Sequence, residues 1–275
     1  ATPAMLCFGL ALGRETPDFV SSLQSVVFIV SKAIFPVFML AMLMFTLSLP
    51  FTGLDGLFET KRASLILFCA MLAVLFFFNS LYKDGLSQSP YSAWLTKTLH
   101  VFLISLPVVS MIAIYALFLR IDQYGLTPNR LMGAVCLVLL GVYALGYAIL
   151  ALRGFQNVET DWMRGVGRIN SGMALTIAAV FFLVRTPALD PIRVSVSNQY
   201  ERLLSGKTDP ALFDFATLHF KFGRPGYRVL NQILELKDAR FVDLQEKIRH
   251  HLASPKPDMW DVPKPEKENQ TSGKQ

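Results

Sequence analysis

Five apolar runs dominate the 275-residue sequence: Val26–Leu49, Ala63–Tyr82, Leu99–Leu119, Leu131–Leu152 and Ile169–Val184, of 24, 20, 21, 22 and 16 residues. A hydrocarbon core about 30 Å thick requires about 20 residues of α-helix to cross it. Four runs meet that length, and the fifth does once Asn170, Ser171 and their flanks lie at the interface. Lipid offers no partner to a backbone N–H or C=O, so each run must close its hydrogen bonds internally as a helix. The alternating pattern of an outer-membrane barrel is absent. The sequence predicts an all-α polytopic transmembrane helical bundle over residues 1–189, followed by a small C-terminal helical extramembrane module.

Composition agrees. Hydrophobic residues make up 53% and charged residues 17%, with a mean hydropathy of +0.43, whereas a soluble domain carries about 25% charged residues. A single soluble globule, a disordered chain, a disulfide scaffold and a collagen-like fibre are excluded. The net charge of +6 does not point to nucleic acid. Basic residues sit mostly between apolar runs, where they meet lipid headgroups, or alternate with acids in the C-terminal part. No basic stripe interleaved with stacking aromatics is present. Cys7, Cys69 and Cys136 all lie in apolar stretches and behave there as small hydrophobes. The chain starts at Ala1 and enters the apolar segment 4–12 without a basic stretch, the pattern of the end of a preceding transmembrane helix rather than a signal peptide.

Turn chemistry marks the connections. Between the third and fourth spans, Gly125 suits the residue after a helix, Thr127 an N-cap and Pro128 a first helical position. Eleven residues make this connection, so these spans are expected to be antiparallel neighbours. Trp94 and Trp162 lie beside spans, where interfacial aromatics belong. From Asp190 the composition shifts. Asp190-Pro191 and Asp209-Pro210 resemble helix starts, and Gly206 and Gly223 stops. Phe241, Leu244, Ile248 and Leu252 recur at helical spacing, predicting one buried stripe. The segment 213–222 alternates enough to leave a short strand open. Residues 254–275, rich in Pro, Lys and Glu, are expected to be disordered. Lys and Arg divide almost evenly between the two sets of loops, so the positive-inside rule gives no orientation.

Lys32 is the one Lys, Arg, Asp or Glu within a span. Fourteen Val, Ile, Leu and Phe neighbours in that run contribute about −6 kcal/mol to insertion against about +3 kcal/mol for a central Lys, so the helix still inserts. Two readings stand: an intramembrane polar site, or an ammonium snorkelling to a surface, since residues 33–49 nearly span alone. Pro36 cannot donate to the Lys32 carbonyl, which leaves a kink and a free acceptor there. Pro107 does the same at Leu103. Proton-coupled transport is disfavoured, because the visible spans lack Asp, Glu and His at depth, His100 lying at an edge.

Catalytic signatures are missing: the sequence has no His-Glu-x-x-His, Gly-x-Ser-x-Gly or phosphate loop. Asp243, Glu246 and His250 make a weak metal constellation on what reads as an exposed charged helix. No metal, cofactor or catalytic residue is assigned. Two arginine clusters are richer. Arg120, Asp122, Gln123, Tyr124 and Arg130 crowd one hairpin, while Arg153, Glu159, Asp161, Trp162, Arg164 and Arg168 crowd another. Arginine forks suit phosphate or carboxylate groups, so Arg120, Asp122, Gln123, Tyr124, Arg130, Trp162, Arg164 and Arg168 are candidate contacts to an anionic ligand or lipid headgroup. Anchoring and turn capping are the alternative role. The clusters are expected on opposite membrane faces.

The run Arg120-Ile-Asp-Gln-Tyr-Gly-Leu-Thr-Pro-Asn-Arg130, followed by an apolar span, resembles a family of bacterial polytopic inner-membrane proteins known as a domain of unknown function. Asp190-Pro-Ile-Arg-Val-Ser, Gln199, Arg202-Leu, Ser205-Gly206, Phe213-Asp214, Leu218, Gly223-Arg224 and Gly226 carry the same likeness. It runs from about the second span to residue 234. The resemblance implies further helices upstream and a bacterial inner membrane, and brings no activity or ligand. The expected function is a non-enzymatic envelope anchor, sensor or scaffold. Its partners are the bilayer and a protein docked on residues 190–253. Transport of a small or lipidic solute is the alternative, and an interfacial enzyme on lipid-linked substrates a third.

Overall fold

The computed structural model describes residues 17–60, 62–82, 90–156, 161–186 and 190–253, with the backbone alone at residues 17, 156 and 161–164. Segments 4–12 and 254–275 lie outside the described residues. The chain divides into two compact units, Ala1–Pro191 and Ile192–Gln275. Every regular element among the described residues is helical. The first unit holds α1 (Pro17–Thr52), α2 (Asp55–Glu59), α3 (Ala63–Tyr82), α4 (Ala93–Tyr124), α5 (Pro128–Gln156) and α6 (Asp161–Val184). All of these except α2 are long and apolar enough to cross a membrane, and the chain is a multi-pass membrane protein.

The helices outrun their apolar cores. α4 has 32 residues, about 48 Å at 1.5 Å per residue, so its polar ends pass beyond the hydrocarbon. Helices extend until a cap or breaker stops them, and α4 stops at Gly125. There φ is +77°, a left-handed conformation glycine adopts without a Cβ clash, and its N–H bonds Ile121 O at 2.8 Å. α5 restarts three residues later, with the Thr127 hydroxyl accepting from Arg130 N at 3.3 Å. Trp94 stands exposed in the first turn of α4, inside the helix rather than before it.

α4 and α5 pack most extensively, and antiparallel: Gly141 lies against Ser110 and Gly133 against Leu117. α6 docks on α5 where Gly165 meets Leu150, which a Cβ would overlap, and where Gly146 meets Ile169. Small residues let helices approach closely in lipid, where association relies on van der Waals packing. Phe35, Met39, Phe78, Phe102, Leu103, Leu106 and Tyr147 fill the interior. Phe35 stands 6.2 Å from Phe77 and 6.3 Å from Phe102, ring centre to ring centre, joining α1, α3 and α4.

The second unit contains most of α7 (Pro191–Leu204), together with α8 (Phe215–Lys221), α9 (Gly223–Leu234) and α10 (Val242–Ala253). Its separate core includes Val196, Leu203, Phe213, Leu218, Leu230, Ile233, Phe241, Leu244 and Ile248. In the stripe read from the sequence, Leu252 is only half-buried. The alternation at 213–222 is not a strand. Asp214 accepts from Thr217 N at 2.9 Å and opens α8, so local capping overrides the period-2 pattern. Asp209 caps a single 3-10 turn, Pro210–Leu212, rather than a longer helix. Gly223 ends α8 and also opens α9. Buried Gln245 donates from Nε2 to Ile233 O at 2.9 Å and Leu236 O at 2.8 Å, satisfying carbonyls at the end of α9.

α8 and α9 cross at Gly226, where a Cβ would overlap the backbone carbonyl of Leu218. Backbone cannot swing aside as a side-chain tip can. Gly226→Ala is expected to cost about 2–3 kcal/mol, the upper range for overpacking. Urea unfolding of a 190–253 fragment, followed by circular dichroism, measures this; an unchanged midpoint would refute the close approach.

Candidate functional site

At one end of the first unit, the end of α4 and start of α5 meet α2 and the start of α3. They enclose a pocket of about 460 Å³ lined by Phe58, Ala63, Ala116, Leu119, Arg120, Gln123, Tyr124 and Arg130. Four of the five hairpin residues singled out in the sequence share this pocket. Asp122 does not line it and is exposed. The helical periodicity of α4 explains the sorting, because Gln123 and Tyr124 follow Arg120 by three and four residues whereas Asp122 follows it by two.

Arg130 is held in place: Nη1 donates to Gly125 O at 2.6 Å, and its guanidinium lies 5.5 Å from the centre of the Tyr124 ring. That leaves the other N–H groups of the fork to serve a ligand. Neither Arg120 nor Arg130 pairs with a carboxylate among the described residues. Two partly buried guanidiniums over an apolar floor of Phe58, Ala63, Ala116 and Leu119 match an amphiphile with an anionic head.

Of the second arginine cluster, only Arg153 and Arg168 have described side chains. Arg153 and Arg168 are exposed, and neither lines the hairpin pocket. Glu159, together with the side chains of Asp161, Trp162 and Arg164, lies outside the described residues. Lys32 is exposed on α1, so it is the Lys32 backbone rather than its ammonium that meets the bundle. The carbonyl that Pro36 leaves without an in-helix donor accepts from Tyr91 Oη at 3.2 Å. Burial, with Tyr82 nearby, pushes the Tyr91 phenol up, so it stays protonated as a donor.

One polar constellation escaped sequence reasoning. Asn79 (α3), Tyr147 (α5) and Asn170 (α6) close a ring of hydrogen bonds within the first unit. Asn79 Nδ2 lies 3.2 Å from Tyr147 Oη, Tyr147 Oη donates to Asn170 Oδ1 at 2.6 Å, and Asn170 Nδ2 donates to Asn79 Oδ1 at 2.6 Å. Asn79 Nδ2 also donates to Leu75 O at 2.9 Å. Each member gives and receives, so the ring is a structural tie rather than a vacant binding site. Asn79 lies 16 positions along α3 from Ala63, about 24 Å, so ring and pocket stand near opposite ends of that helix. Neutral Asn and Tyr in an apolar run look unremarkable singly. Only the helix packing makes them a set.

In the second unit, His219 Nδ1 and His251 Nε2 are 3.1 Å apart, among Phe215, Phe220 and Tyr227. Among the described residues no group of three or more His, Cys, Asp or Glu is placed to hold a metal, the Asp243–His250 set included.

The family model for a domain of unknown function (DUF4153) matches residues 21–220. The chain belongs to that family. No curated protein and no solved structure matches it. The matched region takes in all five spans, the hairpin pocket, the polar ring and the second unit as far as α8.

Two measurements test this geometry. Asn79→Leu or Asn170→Leu strands the remaining partners in lipid, at an expected cost of about 1–2 kcal/mol each in detergent unfolding. Because the ring is shared, the double variant should cost less than the sum; strict additivity would contradict it. Burial, then His219 and His250, hold the His251 imidazole below its ordinary value. The folded state therefore binds fewer protons than the unfolded chain near pH 6, and the second unit should lose stability as pH falls below about 6.5. His251→Gln should flatten that dependence in melts at pH 7.5 and 5.5.

Proposed function

We propose that the chain is a non-enzymatic anchor or scaffold of a bacterial inner membrane, in which the bundle holds an extramembrane helical module, residues 190–253, for docking to a partner protein. The observation that carries this is the separation of two cores. The bundle interior is filled by large side chains such as Phe35, Phe78, Phe102 and Tyr147, and its internal polar ring is satisfied. The second unit has its own apolar core, separate from that of the bundle. A filled interior suits anchoring better than passage of a solute. The family likeness of the hairpin and tail motifs supports the inner-membrane placement.

Within that function, the hairpin pocket supports one binding activity: Arg120 and Arg130 hold the phosphate of an anionic lipid or a comparable solute. The same pocket is what favours the alternative, transport of an anionic or lipidic solute. Arg130→Gln is expected to weaken binding of an anionic phospholipid about tenfold, in line with loss of charge-assisted hydrogen bonds. Native mass spectrometry of lipid adducts reads this out. Flux of a solute in proteoliposomes that falls with Arg130→Gln would replace anchoring by transport.

Docking is tested by affinity purification from envelopes. The same protein should co-purify with the full chain and with a 190–253 fragment, and be lost on deletion of 190–253. A folded fragment that retains nothing, with co-purifying proteins and phenotype unchanged by the deletion, would refute the scaffold reading.

A further inference from the structure

The second unit exposes aromatic side chains beside basic ones. Between Asp214 and Glu235 the sequence contains no acid, while Lys221, Arg224 and Arg228 are all exposed. Phe220 and Tyr227 are 51% and 48% exposed, although their neighbours Leu218, Val229 and Leu230 are buried. The burial of Val229, Leu230 and Ile233 fixes which side of α9 faces the core, so the opposite side is committed to the surroundings.

These residues are contiguous. The His219 ring stands 4.7 Å from Phe220 and 6.3 Å from Tyr227, centre to centre. His219, Arg224, Tyr227 and Arg228 line one shallow groove of about 620 Å³, with Glu235 at the end of the lining segment. Arg224 and Arg228 are four apart on α9 and so are neighbours on its surface, and both line the groove with Tyr227. Aromatic side chains edged by arginines form the composition that settles at a lipid headgroup layer, where the rings reach the acyl boundary and the cations meet phosphates.

Chain connectivity favours lipid over other occupants. α6, a membrane-spanning helix, ends at Val184, and α7 begins at Pro191. Six intervening residues reach at most about 25 Å when fully extended, so the module is tethered close to a bilayer surface. An anionic leaflet attracts each nearby Lys or Arg by about fivefold in binding constant, an effect confined to about a Debye length, 10 Å at 0.1 M salt.

We propose that Phe220, Arg224, Tyr227 and Arg228 form a membrane-docking face, which seats the module on the anionic leaflet and leaves its other surfaces free. This proposal stands apart from partner docking, because it concerns a different occupant and is read by a different measurement.

The test uses the full chain in nanodiscs, either of neutral phosphatidylcholine or of phosphatidylcholine mixed with phosphatidylglycerol. Hydrogen–deuterium exchange is followed over 215–234, with 239–252 as the internal report on folding. A second probe is a polarity-sensitive dye on Phe220→Cys, with Cys7, Cys69 and Cys136 replaced. Exchange over 215–234 should slow several-fold, and dye emission shift to the blue, in anionic discs relative to neutral ones. High salt and the pair Arg224→Glu with Arg228→Glu should abolish both effects, while exchange at 239–252 stays unchanged. Equal exchange and emission in the two discs, or a difference that survives charge reversal, would overturn the proposal. Protection that appears only on adding a soluble acidic polypeptide would also overturn it, and assign the face to a protein.

Discussion

Inside hydrocarbon a polar group has no solvent to fall back on, and the architecture of the first unit follows from that requirement. It makes each apolar run a helix. It also decides where irregularity is tolerated. Pro36 removes a donor from α1, and the carbonyl it abandons, Lys32 O, is met by Tyr91 from the chain just before α4. The amides of Asn79 and Asn170 and the hydroxyl of Tyr147 close on one another across three helices. These polar ties, with the close contacts at Gly146 and Gly165, give register to helices whose apolar surfaces would otherwise slide with little preference.

The same requirement relaxes at the ends of the helices, and chemistry concentrates there. Gly125 and Pro128 make a turn tight enough to bring Arg120 and Arg130 into one pocket. One fork of Arg130 is spent on the turn itself, through Gly125 O. The turn and the pocket are thus one device, with the carbonyl and the Tyr124 ring orienting a cation that has no carboxylate partner among the described residues. The second unit, with a core of its own, follows ordinary globular rules. Asp209, Asp214 and Asp238 cap short helical turns, Gln245 closes the end of α9, and Gly226 permits a backbone crossing.

Much of this was legible in the sequence because its causes are local. The hairpin stop at Gly125 and start at Pro128 depend on residues within one turn, as does the cap at Asp209. The strand left open at 213–222 failed for the converse reason: alternation is a weak pattern, and one capping aspartate outweighs it. Lys32 drew attention because charge is rare in a span, yet the contact made at that position belongs to its carbonyl. The polar ring left no trace in sequence, since Asn79, Tyr147 and Asn170 are far apart in the chain and each is unremarkable alone.

By itself, then, the sequence determined that the chain is a helical multi-pass membrane protein with a less apolar C-terminal part, because helix formation in lipid depends on run length and hydrophobicity. It also located the two hairpins that concentrate arginine. Only the tertiary structure decided which polar side chains meet, that Asp122 stands apart from the pocket while Gln123 and Tyr124 join it, and that His219 and Tyr227 line one groove with Arg224 and Arg228. Those outcomes depend on helix rotation and crossing, which are set by packing at small residues and by polar ties between distant segments, and no local pattern records them.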